Sequence, residues 1–382
     1  MADSPLTPGS KGRRAAEWVA TMGGAAGRRG VVVAHRGPPP AALVPAGPVD
    51  RNRREETEDR VMATGATRAN GAGQRARPEA PDPLRTCFER DRDRILHASA
   101  FRRLAGKTQV FVFPADHQRT RLTHALEVAQ VATSVARAVG LNVALTEAMA
   151  LGHDCGHGPG GHASEDAFDP LVSGGYEHSV WGADVVLAPL NLCAETLDGI
   201  RNHSWSRPTP ATPEGAVVSW ADRCAYSAHD LEDAISAGVV AYADLPDEVT
   251  DIAGATRSRQ LDFFVGSLVE TVAGTGTVGM APGPAAALAA LRAFNYERIY
   301  TRPESLAQGD AVVAVLRALV GWYTEDPRRV PAPWADPVEA ARAAVTYVGG
   351  MTDRFAFETA VHHLGWRRDR LPRGIDLRMT AR

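Results

Sequence analysis

Between Leu122 and Val139 the apolar residues recur at helical intervals, and Gly140 stands where a helix C-cap belongs. The pattern puts His124 on the inward face with Val128, Val131 and Val135. A second helical run, from about Val143 to Asp154, puts His153 on the inner face with Leu145, Met149 and Gly152. Two imidazoles from neighbouring helices can therefore meet inside a bundle, with Asp154 beside one of them. The glycines at 152, 156, 158, 160 and 161 then let the chain turn sharply. Imidazole nitrogen with carboxylate oxygen suits a divalent transition metal. A lone buried histidine is more often a hydrogen-bonded core residue, and an HD dipeptide by itself is weak. Here an RxxH pattern precedes it and GHxxxGHxxE follows, so Arg121, His124, His153, Asp154, His157, His162 and Glu165 all fall within 45 residues.

A fourth ligand has to come from another helix. EGAVVSWADRCAYSAHDLEDAISAGVV, beginning after Pro213, is long and amphipathic, and Asp222, Tyr226, Asp230 and Asp233 line one face beside its apolar stripe. A carboxylate next to buried surface is costly unless paired or bound to metal, which singles out Asp222. Asp230 lies about 12 Å further along the same helix, roughly the span from a metal-bound phosphate to the sugar of a nucleotide. The second HD pair, His229 and Asp230, lacks the glycine-rich turn and reads as structure or substrate contact. By default His203, His362 and His363 are packing or surface residues, and Asp233 is solvated or salt-bridged.

The chain has 382 residues, a net charge of −3 and 44% hydrophobic residues, enough for one large or two modest globular units. Near-neutral charge argues against a nucleic-acid coat, so nucleic acid is not required. Cys87, Cys155, Cys193 and Cys224 show no CxxC spacing, which fits a reduced, cytoplasmic setting. No apolar run is long enough to span a membrane. Residues 1–80 carry 13 Lys and Arg against 8 Asp and Glu, with little periodic apolar sequence, and read as a disordered Gly/Ala/Pro/Arg-rich tail. Met22 and Met62 are alternative start sites within it. Order is expected from about Thr86, with a short strand-like or extended TQVFVF and with Asn191 as the N-cap of CAETLDGIRNHSW. Beyond 246 the chain is alanine-rich and helical. The domain reading is therefore a tail over 1–80, a core over 81–245 and a C-terminal helical region over 246–382 packed on it.

ERDRDRILHASAFRRLAGKTQVF, RTRLTHALEVAQVA, LGHDCGHGPGGHASED, WADRCAYSAHDLEDAI and YVGGMTDRFA resemble, in order, successive motifs of the deoxyguanosine triphosphate triphosphohydrolase family of the HD superfamily. The resemblance spans roughly 85–360. It implies an all-α, HD-domain helical bundle with additional C-terminal helices, a homo-oligomer, and hydrolysis of a dNTP to deoxynucleoside and triphosphate. It implies one divalent ion (Mn, Mg, Co or Fe) held by His124, His153, Asp154 and Asp222. His162, Glu165 and His157 match the catalytic group, and Arg121, His157 and His178 match residues near the phosphates. Tyr226 and Asp230 match deoxyribose contacts, and Gln109 the residue that reads the sugar 3′-hydroxyl. Relatives of this kind are often regulated by a nucleotide effector.

The turn departs from the commoner HDIGHPPFGH, losing a bulky aromatic beside His162 and gaining glycine. Arg223 replaces the second acid of the usual ADD. Phosphoryl chemistry of this kind needs an activated water and a counter-charge for a polyanion, which a divalent ion provides. His162 beside Glu165 suits a proton donor oriented by a carboxylate, and Arg121 a phosphate fork. No GxxxxGK[ST] loop occurs. Two alternatives remain at this point: an HD phosphohydrolase of monophosphates or signalling nucleotides, and a non-catalytic nucleotide sensor.

Overall fold

The computed structural model describes residues 9–27, 30–35, 37, 46–114, 117–331, 336 and 339–374. The chain divides into two units, Met1–Pro48 and Val49–Arg382. The first holds helix α1 (Gly9–Thr21) and a two-residue antiparallel pair, β1 (Ala25–Ala26) with β2 (Val32–Val33), in the register Ala25 to Val33. The second is helical throughout, so the protein is all-α apart from that pair among the described residues.

In order, the second unit runs α2 (Arg51–Val61), α3 (Cys87–His97), α4 (Ser99–Arg103), α5 (Arg121–Val139) and α6 (Val143–Gly152). The short α7 (Ala163–Phe168), α8 (His178–Trp181) and α9 (Ala194–Arg201) follow. Next comes the longest helix, α10 (Pro213–Ser236), then α11 (Asp247–Ala253), α12 (Arg257–Thr275) and α13 (Pro282–Asn295). Last are α14 (Pro303–Glu325), α15 (Ala340–Gly349) and α16 (Asp353–Leu364). Local chemistry sets several of these boundaries. Thr86 and Glu89 close a capping box at α3. Gly140 ends α5 in the left-handed region at φ 72°, and Asn142 caps α6 through Leu145 N at 3.1 Å. Thr212 caps α10 with Pro213 at its first position.

Helices α5, α6 and α10 pack against one another pairwise, and with α3 and α9 they bury Ile95, Val128, Leu145, Met149, Ile200 and Val217. A second core gathers α7, α14, α15 and α16 around Phe168, Val312, Leu316 and Phe357. A third closes α11 and α13 on the later half of α10 through Leu231, Val249, Leu288 and Leu291. Among the described residues no helix is long and apolar enough to cross a membrane.

Three local expectations are corrected. The disordered tail was expected to reach residue 80 and falls partly on residues outside the described set, but from Val49 the chain belongs to the second unit. Many of its attachments there are polar, since Arg75 pairs with buried Asp91 at 2.6 Å, Arg77 N donates to Asn191 Oδ1 at 2.9 Å and Thr67 bonds Glu214, while Ala66 and Ala69 enter the main core. A search for periodic apolar residues does not register a segment held that way. TQVFVF is not a strand, since only an isolated bridge joins Thr108 to Thr120. Asn191 does not cap α9; it stands in the left-handed region at φ 53° while Cys193 takes the cap position.

Glu214 has no solvent exposure and accepts from Thr67 N and Asn142 N at 3.0 Å and from Thr67 Oγ1 at 2.7 Å. Glu214→Ala strands these donors and is expected to lower unfolding stability by about 2–4 kcal/mol. A urea titration checks the value, and limited proteolysis is expected to cut earlier within residues 49–80.

Candidate active site

The start of α5, the end of α6 and the middle of α10 bring imidazoles, carboxylates and a guanidinium together. His124, in the first turn of α5, places Nε2 3.0 Å from Asp222 Oδ1. His153 follows α6 and is fully buried; its Nδ1 lies 2.7 Å from Ala150 O. A carbonyl only accepts, so Nδ1 carries the proton and Nε2 presents its lone pair inward. That Nε2 has no hydrogen-bond partner, lying 3.5 Å from Asp154 Oδ1 and 3.7 Å from Asp222 Oδ1. Asp154 is buried and takes a 2.6 Å bond from Arg121 Nη1. Burial alone would raise the Asp154 carboxyl, but the Arg121 cation and adjacent imidazoles hold it well below its ordinary value. Asp222 is lowered in the same way, with burial opposed by its His124 bond and neighbouring imidazoles.

The glycine-rich turn and α7 supply the second cluster. Glu165 is shared: Oε2 lies 3.2 Å from His162 Nδ1, and Oε1 takes His178 Nδ1 at 2.5 Å and His178 N at 2.8 Å. His162 is 72% exposed at its side chain, whereas His157 is buried, stacks on His178 at 3.7 Å and reaches Asp154 Oδ1 from Nε2 at 3.2 Å. Burial, Arg121 and His178 push the His157 pKa well down. Burial acts the same way on His178, but the Glu165 bond and charge win and its pKa is raised. His203 donates Nδ1–H to Ile200 O at 2.8 Å, and burial among other imidazoles lowers it to about 3. Neutral His203 therefore accepts at Nε2 from His178 Nε2, 3.2 Å away.

Further along α10, Asp230 takes Tyr300 OH at 2.5 Å and a short bond from Arg119, which also pairs with Asp233 at 3.0 Å and Glu127 at 3.2 Å. Tyr226 OH accepts from Arg292 Nε at 2.5 Å, and the Arg223 guanidinium lies 3.3 Å over the Trp205 ring. Arg121, only 2% exposed, keeps Nε and Nη2 unpaired, and Gln109 Oε1 is likewise buried without a partner.

The four residues read as metal ligands and the five read as a proton-transfer and phosphate group thus converge, with Tyr226 and Asp230 farther along the same helix. His203 was expected to be a packing residue, yet it stands within the cluster. Arg119, Arg292 and Tyr300 were not singled out either. His203 did carry a signal, since a histidine directly after an amphipathic helix repeats the placement of His153. The other three become visible only when α13 and the loop before α5 are seen folded onto α10. His229 stays out of the cluster, bonding Ala225 O at 2.7 Å, and His363 stacks on Trp322.

Among the described residues, His124, His153 and Asp154 offer ligand atoms within 4.8 Å of one another, as do His153, His203 and Asp222. Nitrogen and oxygen donors, a tautomer fixed by Ala150 O and an unpartnered Nε2 fit a divalent metal.

An HD domain matches residues 121–227, and a phosphohydrolase-associated domain matches 278–362. Helices, His/Asp cluster and domain order together make this an HD-type phosphohydrolase. A deoxyguanosinetriphosphate triphosphohydrolase-like protein of Caldanaerobacter subterraneus subsp. tengcongensis is 40% identical over 312 residues, covering 79% of this chain and 92% of the relative. One from Clostridium tetani is 34% identical over 325 residues, covering 80% and 93%. The chain belongs to this deoxyguanosinetriphosphate triphosphohydrolase-like family.

Asp222→Ala is expected to leave the protein with sub-stoichiometric metal after loading with Mn²⁺ and desalting, whereas His162→Ala stays replete. Elemental analysis of both variants beside wild type checks this.

Proposed function

We propose that the protein hydrolyses deoxynucleoside triphosphates to deoxynucleoside and inorganic triphosphate with a divalent metal held by His124, His153, Asp154 and Asp222. The observation that carries the reading is Arg121: a buried guanidinium bound to Asp154 that still has two unpaired N–H groups beside the His/Asp cluster. Unpaired buried donors call for an anion, and a guanidinium fork suits phosphate oxygens. The names of the relatives support a nucleoside triphosphate as the source of that anion.

When bound, the ion supplies an acidic water and charge neutralisation at phosphorus. The chain's own residues do the rest. Arg121 holds phosphate oxygens, and Arg223 and Arg292 add positive charge along α10. His162 projects into solvent with its Nδ1 3.2 Å from Glu165 Oε2, which orients its ring. It is the donor to the departing 5′-oxygen. His157 and His178, stacked and fixed by Asp154 and Glu165, shape the phosphate side of the pocket. At the other end Tyr226 and Asp230 meet the deoxyribose, and Gln109, with its unpaired carbonyl, accepts from the 3′-hydroxyl.

Incubation with each dNTP and Mn²⁺, Mg²⁺ or Co²⁺, followed by chromatography, is the test. Deoxynucleoside with intact triphosphate is the expected product, while orthophosphate or a monophosphate would move the reading to another HD phosphohydrolase activity. His162→Ala is expected to lose about 10²–10⁴-fold in kcat. Gln109→Ala is expected to weaken discrimination against 2′,3′-dideoxy analogues, read as a ratio of kcat/KM values for matched substrates.

A further inference from the structure

The stretch from His157 to His162 carries two site histidines on a backbone with little to hold itself in place. Gly160 and Gly161 both have positive φ, 74° and 65°, and the turn itself is neither helix nor strand. Its internal restraint is Ser164 Oγ, which accepts from Gly158 N at 3.0 Å and donates to Gly161 O at 2.6 Å. Gly161 N also reaches Gly158 O at 3.3 Å and Ser164 N reaches Gly161 O at 2.9 Å, and further bonds come from far along the chain. Asp353 Oδ1 accepts from Gly160 N at 2.9 Å, and the ammonium of Lys107 donates to His157 O and, at 2.9 Å, to Gly349 O.

The second oxygen of Asp353 reaches the other wall of the site. Oδ2 accepts from Thr108 N at 3.0 Å and from Thr108 Oγ1 at 2.6 Å. Thr108 directly precedes Gln109 and bridges to Thr120, and Arg121 N donates to Lys107 O at 3.3 Å. One carboxylate therefore ties the histidine turn to the strap that bears Gln109 and abuts the start of α5.

An aspartate at a helix start usually serves the helix itself. Here Thr352 caps α16, accepting from Phe355 N at 3.3 Å, so the Asp353 carboxylate is free to point away. Both Asp353 and Lys107 are buried, 4% and 3% exposed. Burying two charges is seldom the cheapest way to join helices, since apolar packing does that at least as well. What the pair adds is direction, because hydrogen bonds of fixed geometry set where a flexible turn sits.

Resting on the hydrolase reading above, we propose that Asp353 is a positioning residue: through Gly160, and with Lys107, it sets the placement of His157 and His162 against the strap anchored at Thr108. It touches no substrate. Its effect on turnover passes through His162.

The test compares wild type, Asp353→Asn, Thr108→Val, His162→Ala and the double variant Asp353→Asn/His162→Ala. Each is followed by kcat, KM, bound metal and hydrogen exchange over residues 156–165. Asp353→Asn is expected to lower kcat by about 10–100-fold with KM within about twofold, because a small displacement of a catalytic group is costly. Metal content is expected to hold, and exchange at the turn to quicken. Thr108→Val, a milder change that leaves the Gly160 bond, is expected to shift the same readouts less and decides the matter if Asp353→Asn does not fold. In the His162→Ala background, Asp353→Asn is expected to add almost nothing. A full multiplicative loss there, or a lower melting temperature with kcat and turn exchange unchanged, overturns the proposal. Should wild type not hydrolyse dNTPs, the function reading falls alone, since exchange at the turn still decides whether Asp353 holds it.

Discussion

Asp154 is a buried anion at the meeting point of helices whose facing side chains are apolar, and most of the site is arranged as compensation for it. Desolvation alone would cost several kcal/mol. Arg121 answers it with a charged hydrogen bond, and the imidazoles of His157 and His153 stand at its other oxygen. Arg121 is thereby drawn into the interior, where two of its N–H groups go unanswered by the chain. The pair is balanced electrically and incomplete in hydrogen bonds. That incompleteness suits the centre to the metal and phosphate of the proposed function.

The sequence exposed the parts of this arrangement that obey a local rule. Helical periodicity placed His124 and His153 on inner faces, Gly140 marked the end of α5, and the stripe on α10 singled out Asp222. Rules of that kind read neighbours in sequence, so they missed what is assembled across it. His203 joins the imidazole cluster because α9 lies against α6. Tyr300 and Arg292 reach Asp230 and Tyr226 because α13 folds back on α10. The error over residues 49–80 has a different origin. They are held by individual hydrogen bonds to Glu214, Asp91 and Asn191 together with a few small side chains such as Ala66 and Ala69 in the main core, and composition reports neither.

The site is also a joint product of the two matched domains. The HD portion supplies the His/Asp cluster and the shared Glu165, while Arg292, Tyr300 and Asp353 come from the phosphohydrolase-associated portion. Helix α10 mediates between them, one end at the cluster and the other under α11 and α13. A loosening of the C-terminal helices would therefore reach the pocket through hydrogen bonds as well as through packing. Loss of an aromatic from the turn, relative to the commoner motif, leaves more of this task to backbone contacts with α16.

The uneven exposure of the histidines has a consequence for chemical probes and inhibitors. His153, His157 and His203 lie inside the protein, but His162 projects into solvent with one ring nitrogen held by Glu165. Its outer nitrogen is therefore the reachable nucleophile of the cluster. If Arg121 holds phosphate as proposed, an acylating or alkylating warhead carried on a phosphate mimic would be guided to an imidazole that the buried members of the cluster cannot shield, and selective covalent capture becomes a matter of access.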